Sequence, residues 1–196
     1  MDCNVVDLEQ PLNVPVDENL YRLVSEYRYT WAREIDPEKK AELDSVLYPP
    51  SVAKAKKELK NVDGKEAMKG APGGKSKGYS YTETSCLYNR IAVPSGFTYD
   101  GASVPRIAWS ITGIRPDGLL RAAAAVHDWI YQWKGQLPRG SHAFRIDEFP
   151  WQDAIGRWRR KDCDRLFGRM MREAGVPSIK RKMAYLAVRL LGGLSW

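Results

Sequence analysis

The chain has 196 residues, is 43% hydrophobic and contains seven tryptophans, so it fits a single domain with a substantial core. Its net charge of +7 comes from separate basic segments, and no helix-turn-helix, zinc-finger or aromatic RNA-reading motif accompanies them, so specific nucleic-acid recognition is not expected. No apolar segment reaches the roughly 18–20 residues of a membrane span. The N-terminal segment lacks the features of a signal peptide, and three widely spaced cysteines indicate neither a disulfide framework nor a zinc site.

The first half of the chain is predicted to contain strands and a charged insertion. Residues 20–31 are rich in Tyr, Val and Thr, which favours one or two strands. Pro37 stands at a suitable first helical position, and the charged helix that it opens extends to about Leu47. A very polar segment and a flexible-loop composition follow. We therefore interpret residues 33–78 as a charged, partly flexible insertion that protrudes and contacts a partner.

The second half is predicted to carry a strand pair and three main helices. Residues 79–93 alternate well enough for the strand pair. A helix capped by Asp117-Gly118 extends to about Lys134 and stops at Gly135, and it is apolar on nearly every side, which indicates a central position. After a loop over 136–152, further helices are predicted from about residue 151 to 174 and from 178 to 191.

The last predicted helix has an amphipathic pattern. Five of its side chains share one face: Ile179, Met183, Leu186, Ala187 and Leu190. Taken together, the pattern predicts one α+β domain over residues 1–196, with a small N-terminal antiparallel sheet followed by a bundle of three main helices.

The most apolar predicted helix carries an ionisable pair, His127 and Asp128. Ionisable side chains seldom enter such a helix without partners, because burying an unpaired charge is expensive. Tyr131 lies one turn after His127 on the same face, and Asp164 is the polar member of an apolar stripe on the next helix. If the two helices pack antiparallel, Asp164 reaches the imidazole, fixes its tautomer and stabilises its charged form, as beside a general base.

Two interpretations of these residues remain open. Asp128 points about 100° away from His127 around the helix, so it is a candidate ligand for a hard cation beside the base. Alternatively, His127, Asp164 and Tyr131 form a purely structural polar network that ties the extended segment around Asp100 to the helices. Asp100 itself precedes a glycine, which is ordinary turn chemistry.

Four segments occur in an order that is similar to that of a known family: GFTYDGASVPR at 96–106, HDWIY at 127–131, DRLF at 164–167 and VRLLGGLSW at 188–196. The chain resembles the phage and bacterial family called domain of unknown function 1353 (DUF1353) over roughly residues 88–196. This resemblance implies a phage-encoded protein and leaves the insertion unexplained.

The HDxxY element followed by an Asp-bearing helix is also similar to the secreted calcium-dependent phospholipases and their viral-capsid relatives. That resemblance implies that His127 activates water, that Asp128 binds calcium, and that Asp164 supports the histidine. Residues 113–118 match the glycine-rich calcium loop of those enzymes poorly.

Three functions from different classes follow from the sequence. The first, which we expect, is a phage structural or assembly protein that is made in the host cytoplasm and joins other proteins in the tail or neck of the virion. The second is a calcium-dependent esterase or phospholipase that acts on the host envelope and meets anionic lipid. The third is a small phage protein that binds a host factor through its basic surface. Calcium is the cofactor considered, and it belongs to the second function.

Overall fold

A computed structural model describes residues 8–17, 20–47, 85–100 and 119–196. The elements in chain order are β1 (Asn13–Asp17), β2 (Leu20–Leu23), β3 (Tyr27–Ile35), α1 (Pro37–Leu47), β4 (Ser85–Val93), β5 (Thr98–Tyr99), α2 (Arg121–Gln132), β6 (His142–Ile146), β7 (Gln152–Asp153), α3 (Arg160–Glu173), α4 (Ser178–Leu191) and a 3-10 turn (Gly192–Leu194). The polar segment after α1, the start of the predicted strand pair and the candidate calcium loop at 113–118 lie outside the described residues.

The described strands form two antiparallel sheets. One has three strands in the order β1-β2-β5, and the other has four in the order β3-β4-β6-β7. In the larger sheet, β3 and β4 pair over nine consecutive residues, from Tyr27 opposite Val93 to Ile35 opposite Ser85. The fold is therefore α+β with antiparallel sheets, as the sequence predicted.

The arrangement after α2 differs from the prediction in two ways. Residues 136–152, expected to form a loop, contain β6 and the first residue of β7, so the sheet is not confined to the N-terminal part of the chain. The helix that was predicted from about residue 151 to 174 is α3, and it begins at Arg160. Gln152–Asp153 pairs with β6 instead, and the Trp151 ring packs against two arginine side chains of the neighbouring strands.

α2 is the central helix of the described structure. Nine of its residues are buried, including the four alanines at 122–125, whose small side chains allow close approach by neighbouring elements. α3 contacts both α2 and α4. Side chains from both sheets and from these helices join in one main hydrophobic cluster, which agrees with the central position that the apolar pattern predicted.

The shared apolar face of α4 points to solvent. Ile179, Leu186 and Leu190 are 72%, 56% and 79% exposed. The residues of α4 that are buried are the smaller Ala184 and Val188. This rotation of the helix brings Arg189 next to α3, where it reaches a buried carboxylate.

The beginning of the predicted insertion packs on the larger sheet. β3 continues to Ile35, beyond the point at which the sequence pattern ended the strand. Leu43 of α1 packs against the small apolar cluster around Ile35, and Lys40 Nζ lies 3.3 Å from Asp147 Oδ2. α1 is therefore attached to the domain, while residues 48–84 lie outside the described residues.

The cysteines and the helices bear on two expectations from composition. Cys86 on β4 is disulfide-bonded, although the sequence indicated no disulfide framework. Cys163 on α3 is a buried free thiol. Among the described helices, none combines the length and the apolar character that a membrane crossing requires.

Candidate functional site

The helices bring together most of the ionisable residues that the sequence singled out. His127 and Tyr131 lie one turn apart on α2, and their ring centroids are 4.1 Å apart. Asp164 lies on α3, on the same apolar stripe as Phe167, whose ring centroid is 4.9 Å from that of His127. The side chains of His127 and Asp164 are 1% and 0% exposed. The apolar faces of α2 and α3 thus enclose a polar pair.

Asp164 is the centre of the hydrogen-bond network. His127 Nε2 lies 3.1 Å from Asp164 Oδ1, and the Tyr131 hydroxyl donates to the same oxygen at 2.7 Å. Arg189 Nη1 on α4 donates to the other oxygen, Oδ2, at 2.7 Å. One buried carboxylate therefore links three helices.

Arg189 was missed by the sequence analysis. It stands in the last turn of α4, and a basic residue in that position is also favoured by the helix dipole alone. Its backbone carbonyl accepts a hydrogen bond from Arg160 Nη1 at 3.2 Å, which holds the end of α4 against the start of α3. In the sequence, Arg189 is a single arginine within an otherwise apolar helix end, which hints at a buried partner. The sequence does not show which carboxylate that partner is.

The small residues after α4 leave room for Tyr131. A Cβ atom added to Gly192 would lie 2.8 Å from the Tyr131 hydroxyl oxygen. The ring of Trp196 packs edge-on against the Tyr131 ring, with centroids 4.9 Å apart. The position of the tyrosine hydroxyl is therefore set by the C-terminal turn as well as by α2.

Asp164 is a carboxylate in this network. Burial raises the pKa of Asp164, but the hydrogen bonds from His127, Arg189 and Tyr131 outweigh it and hold the pKa below its usual value. Burial also raises the pKa of Tyr131, and the hydrogen bond to Asp164 raises it further. Tyr131 is consequently a neutral hydroxyl donor at ordinary pH.

His127 is held in its charged form. Burial alone lowers the pKa of His127, but Cys163, Asp128 and Asp164 together raise it well above its usual value. We attribute the net rise to the two carboxylates, because burial raises the pKa of the Cys163 thiol and so keeps that thiol neutral. The result is an imidazolium paired with a buried carboxylate.

Asp128 forms an ion pair with His127 at the edge of the network. The distance from His127 Nδ1 to Asp128 Oδ1 is 3.8 Å, and the Asp128 side chain is 11% exposed. Within the described ranges, no group of three or more His, Cys, Asp or Glu side chains is arranged to hold a metal ion. Calcium takes about six to eight oxygen ligands, which include backbone carbonyls, so a calcium site at Asp128 stays a prediction.

Asp100 is exposed and directly follows β5. The hydrogen bonds to Asp164 described above come from helical residues, and Asp100 supplies none of them. The preceding Tyr99 is buried and accepts a hydrogen bond from Asn13 Nδ2 at 2.8 Å. A part for Asp100 in the polar network stays a prediction.

Comparison with known proteins gives a family and one distant relative. The family described as Protein of unknown function (DUF1353) matches residues 76–188, more than half of the chain. The matched span includes His127, Asp128 and Asp164 and ends one residue before Arg189. The Uncharacterized protein y4jT of Sinorhizobium fredii is 31% identical over 117 residues, which are 60% of this chain and 28% of that protein. The similarity thus spans little more than a quarter of the relative, and no solved structure matches the chain.

Proposed function

Since this chain belongs to the DUF1353 family, whose description assigns no function, we propose that it is a phage-encoded structural or assembly protein, a component of the tail or neck of the virion. In this proposal the network around Asp164 is a structural lock. The observation that carries the structural role is that both oxygens of Asp164 are occupied by donors from α2 and α4.

The charge state of His127 supports a structural role. A general base must be neutral near its working pH so that it can accept a proton. The raised pKa of His127 favours the imidazolium instead, and the side chain is 1% exposed. Two cavities of about 330 Å³ are lined by other residues and not by His127. The described geometry therefore suits an ion pair better than a base.

The surface of α4 supports an assembly role. Ile179, Leu186 and Leu190 are exposed on one helix, although soluble monomers rarely expose large contiguous apolar patches. Burial of this face against other virion proteins would remove that apolar surface from water.

A calcium-dependent lipid hydrolase is the second candidate, and one observation favours it. His127 Nε2 is held by Asp164, while Nδ1 is buried and has no hydrogen-bond partner among the described residues. A carboxylate on one ring nitrogen and a second nitrogen without a hydrogen bond is the arrangement of a general base. The resemblance to calcium-dependent phospholipases assigns that role to His127. Asp128 would hold calcium together with loop carbonyls.

One experiment separates the two candidates. The purified protein is mixed with phosphatidylglycerol vesicles, with calcium or with a chelator, and fatty-acid release is measured for the wild type and for His127→Gln. The structural proposal predicts that no fatty acid is released under any of these conditions and that His127→Gln is less stable than the wild type. It also predicts that mass spectrometry detects the protein in purified phage particles. Calcium-dependent release that His127→Gln abolishes, while Asp162→Asn retains it, would establish the hydrolase instead.

A further inference from the structure

A cleft distinct from the Asp164 network lies between the larger sheet and α3. Its volume is about 330 Å³, and its walls carry three aromatic rings and three arginines: Trp31, His142, Trp158, Arg33, Arg165 and Arg169. This volume lies at the lower end of the range of roughly 300–1,000 Å³ that is usual for small-molecule sites. The cleft is therefore large enough for a compact ligand.

The sheet and the helix each present one face to this cleft. Trp31 and Arg33 are two residues apart on β3, so their side chains project from the same face of the sheet. On α3, Asp162, Arg165 and Arg169 follow one another at helical spacing on one side. Backbone geometry thus places these side chains around a common space.

The aromatic residues form a wall on which a flat ring can stack. The Trp31 and His142 rings are nearly parallel, at 8°, with centroids 6.3 Å apart. The Trp158 ring contacts both, with its centroid 5.1 Å from that of His142 and 6.2 Å from that of Trp31. Aromatic faces of this kind bind planar ligands by offset stacking.

His142 is a neutral ring in the wall. Trp158 Nε1 donates to His142 Nδ1 at 3.2 Å, so Nδ1 is an acceptor and Nε2 carries the ring hydrogen. Burial lowers the pKa of His142 to about 4, so the ring is neutral at ordinary pH. Nε2 is buried and has no hydrogen-bond partner among the described residues. The imidazole therefore adds a flat, uncharged surface to the wall.

The arginines give the cleft a positive balance. Arg169 is committed to Glu173 and to the Ala32 carbonyl, with Nε donating to Glu173 Oε1 at 2.7 Å. Arg165 is 58% exposed, and its contact with Asp162 is long, at 3.4 Å. Arg33 is also exposed. An anionic group can therefore bind Arg33 and Arg165 without breaking a strong internal ion pair.

We propose that this cleft binds a small ligand that combines a flat ring with one anionic group, either a carboxylate or a phosphate. The ring stacks on the wall formed by Trp31, His142 and Trp158, while the anion contacts Arg165 and Arg33. Such a site is independent of the Asp164 network and of the virion role proposed above.

The test uses two probes and their uncharged or ringless counterparts. Adenosine monophosphate represents a ring with a phosphate, and indole-3-acetate represents a ring with a carboxylate. Adenosine and inorganic phosphate are the counterparts of the first probe, and indole and acetate are those of the second. Binding to the full chain is measured by calorimetry and by the NMR signals of the tryptophan indole N–H groups, among which Trp158 is assigned with Trp158→Phe.

We expect at least one of the two charged probes to bind with Kd below about 1 mM, to shift the Trp158 signal, and to bind at least tenfold more tightly than its counterparts. Arg165→Ala should weaken binding at least tenfold. Arg172→Ala, an exposed arginine of the same helix that does not line the cleft, is the matched control and should change nothing. The probe that binds shows whether the cleft prefers a phosphate or a carboxylate. The proposal is overturned if neither probe binds at about 10 mM, or if Arg165→Ala and Arg172→Ala bind alike.

Discussion

Replacing Asp164 with asparagine tests the structural lock most directly. The change removes the negative charge at nearly constant volume and leaves the His127 and Arg189 cations without their shared partner. Breaking a buried ion pair from one side costs about 3–5 kcal/mol. Arg189 is 29% exposed and can turn toward water, whereas His127 is 1% exposed and cannot. We therefore expect a loss near the lower end of this range, about 3 kcal/mol.

Urea denaturation followed by circular dichroism measures this loss. With a slope of about 2 kcal/mol per molar urea, the transition midpoint should fall by about 1.5 M with little change in slope. Asp162→Asn is the matched control on the same helix. Asp162 is 32% exposed and pairs with two exposed arginines, Arg159 and Arg165, so its replacement should cost no more than about 1 kcal/mol.

A triple variant distinguishes an energetic role from a chemical one. In His127→Leu/Asp164→Leu/Arg189→Met, apolar side chains replace all three charges, and such replacements are often neutral or stabilising. We expect the triple variant to regain most of the stability that Asp164→Asn loses. The reasoning is refuted if Asp164→Asn and Asp162→Asn destabilise the protein equally.

Two further predictions concern the same region. Because the pKa of His127 is raised in the folded protein, its protonated form stabilises the fold fully below about pH 6.5, and this contribution is lost as the pH rises through the raised value. Urea midpoints of the wild type should consequently fall on the alkaline side of pH 6.5, and an unchanged pH dependence in His127→Gln would contradict this assignment. Gly192→Ala should lower the free energy of unfolding by about 1–3 kcal/mol, because the new Cβ would lie 2.8 Å from the Tyr131 hydroxyl oxygen. Gly193→Ala is the control, since its Cβ meets the flexible Arg160 side chain at 3.5 Å, and equal melting temperatures for the two variants would show that the turn adjusts.

The helices could be predicted from the sequence where their end signals are local. α4 begins after Pro177 and ends before Gly192, and its predicted bounds agree with the structure. Gly135, predicted to stop α2, has a positive φ of 79°, and a Cβ at that position would lie 2.3 Å from the Trp158 carbonyl oxygen. Local chemistry and close packing therefore both require glycine there.

The strands after α2 could not be predicted in the same way, because distant partners determine them. His142 pairs with Ile91 and Gln152 with Phe144, and the five residues of β6 follow a turn that contains glycine. Within the site, helical spacing placed His127 and Tyr131 on one face, and the apolar stripe of α3 indicated Asp164. The contact between Asp164 and Arg189 depends on the rotation of α4, which the amphipathic pattern alone does not give.

The uninterrupted ladder between β3 and β4 has a consequence for how the chain accommodates extra length. Residues 36–84 separate the two paired ends, Ile35 and Ser85. The entropy of closing a flexible loop grows only with the logarithm of its length, and each doubling adds about 0.6 kcal/mol. For a flexible loop, about 50 residues cost roughly 2.5 kcal/mol more to close than a tight hairpin of about three. The nine paired residues of β3 and β4 offset this entropic cost. Lengthening or shortening a flexible connection then changes the free energy of unfolding by only tenths of a kcal/mol. Provided that the contacts of α1 with the sheet are kept, the gene can therefore gain or lose whole segments between β3 and β4 while the register of the sheet stays fixed.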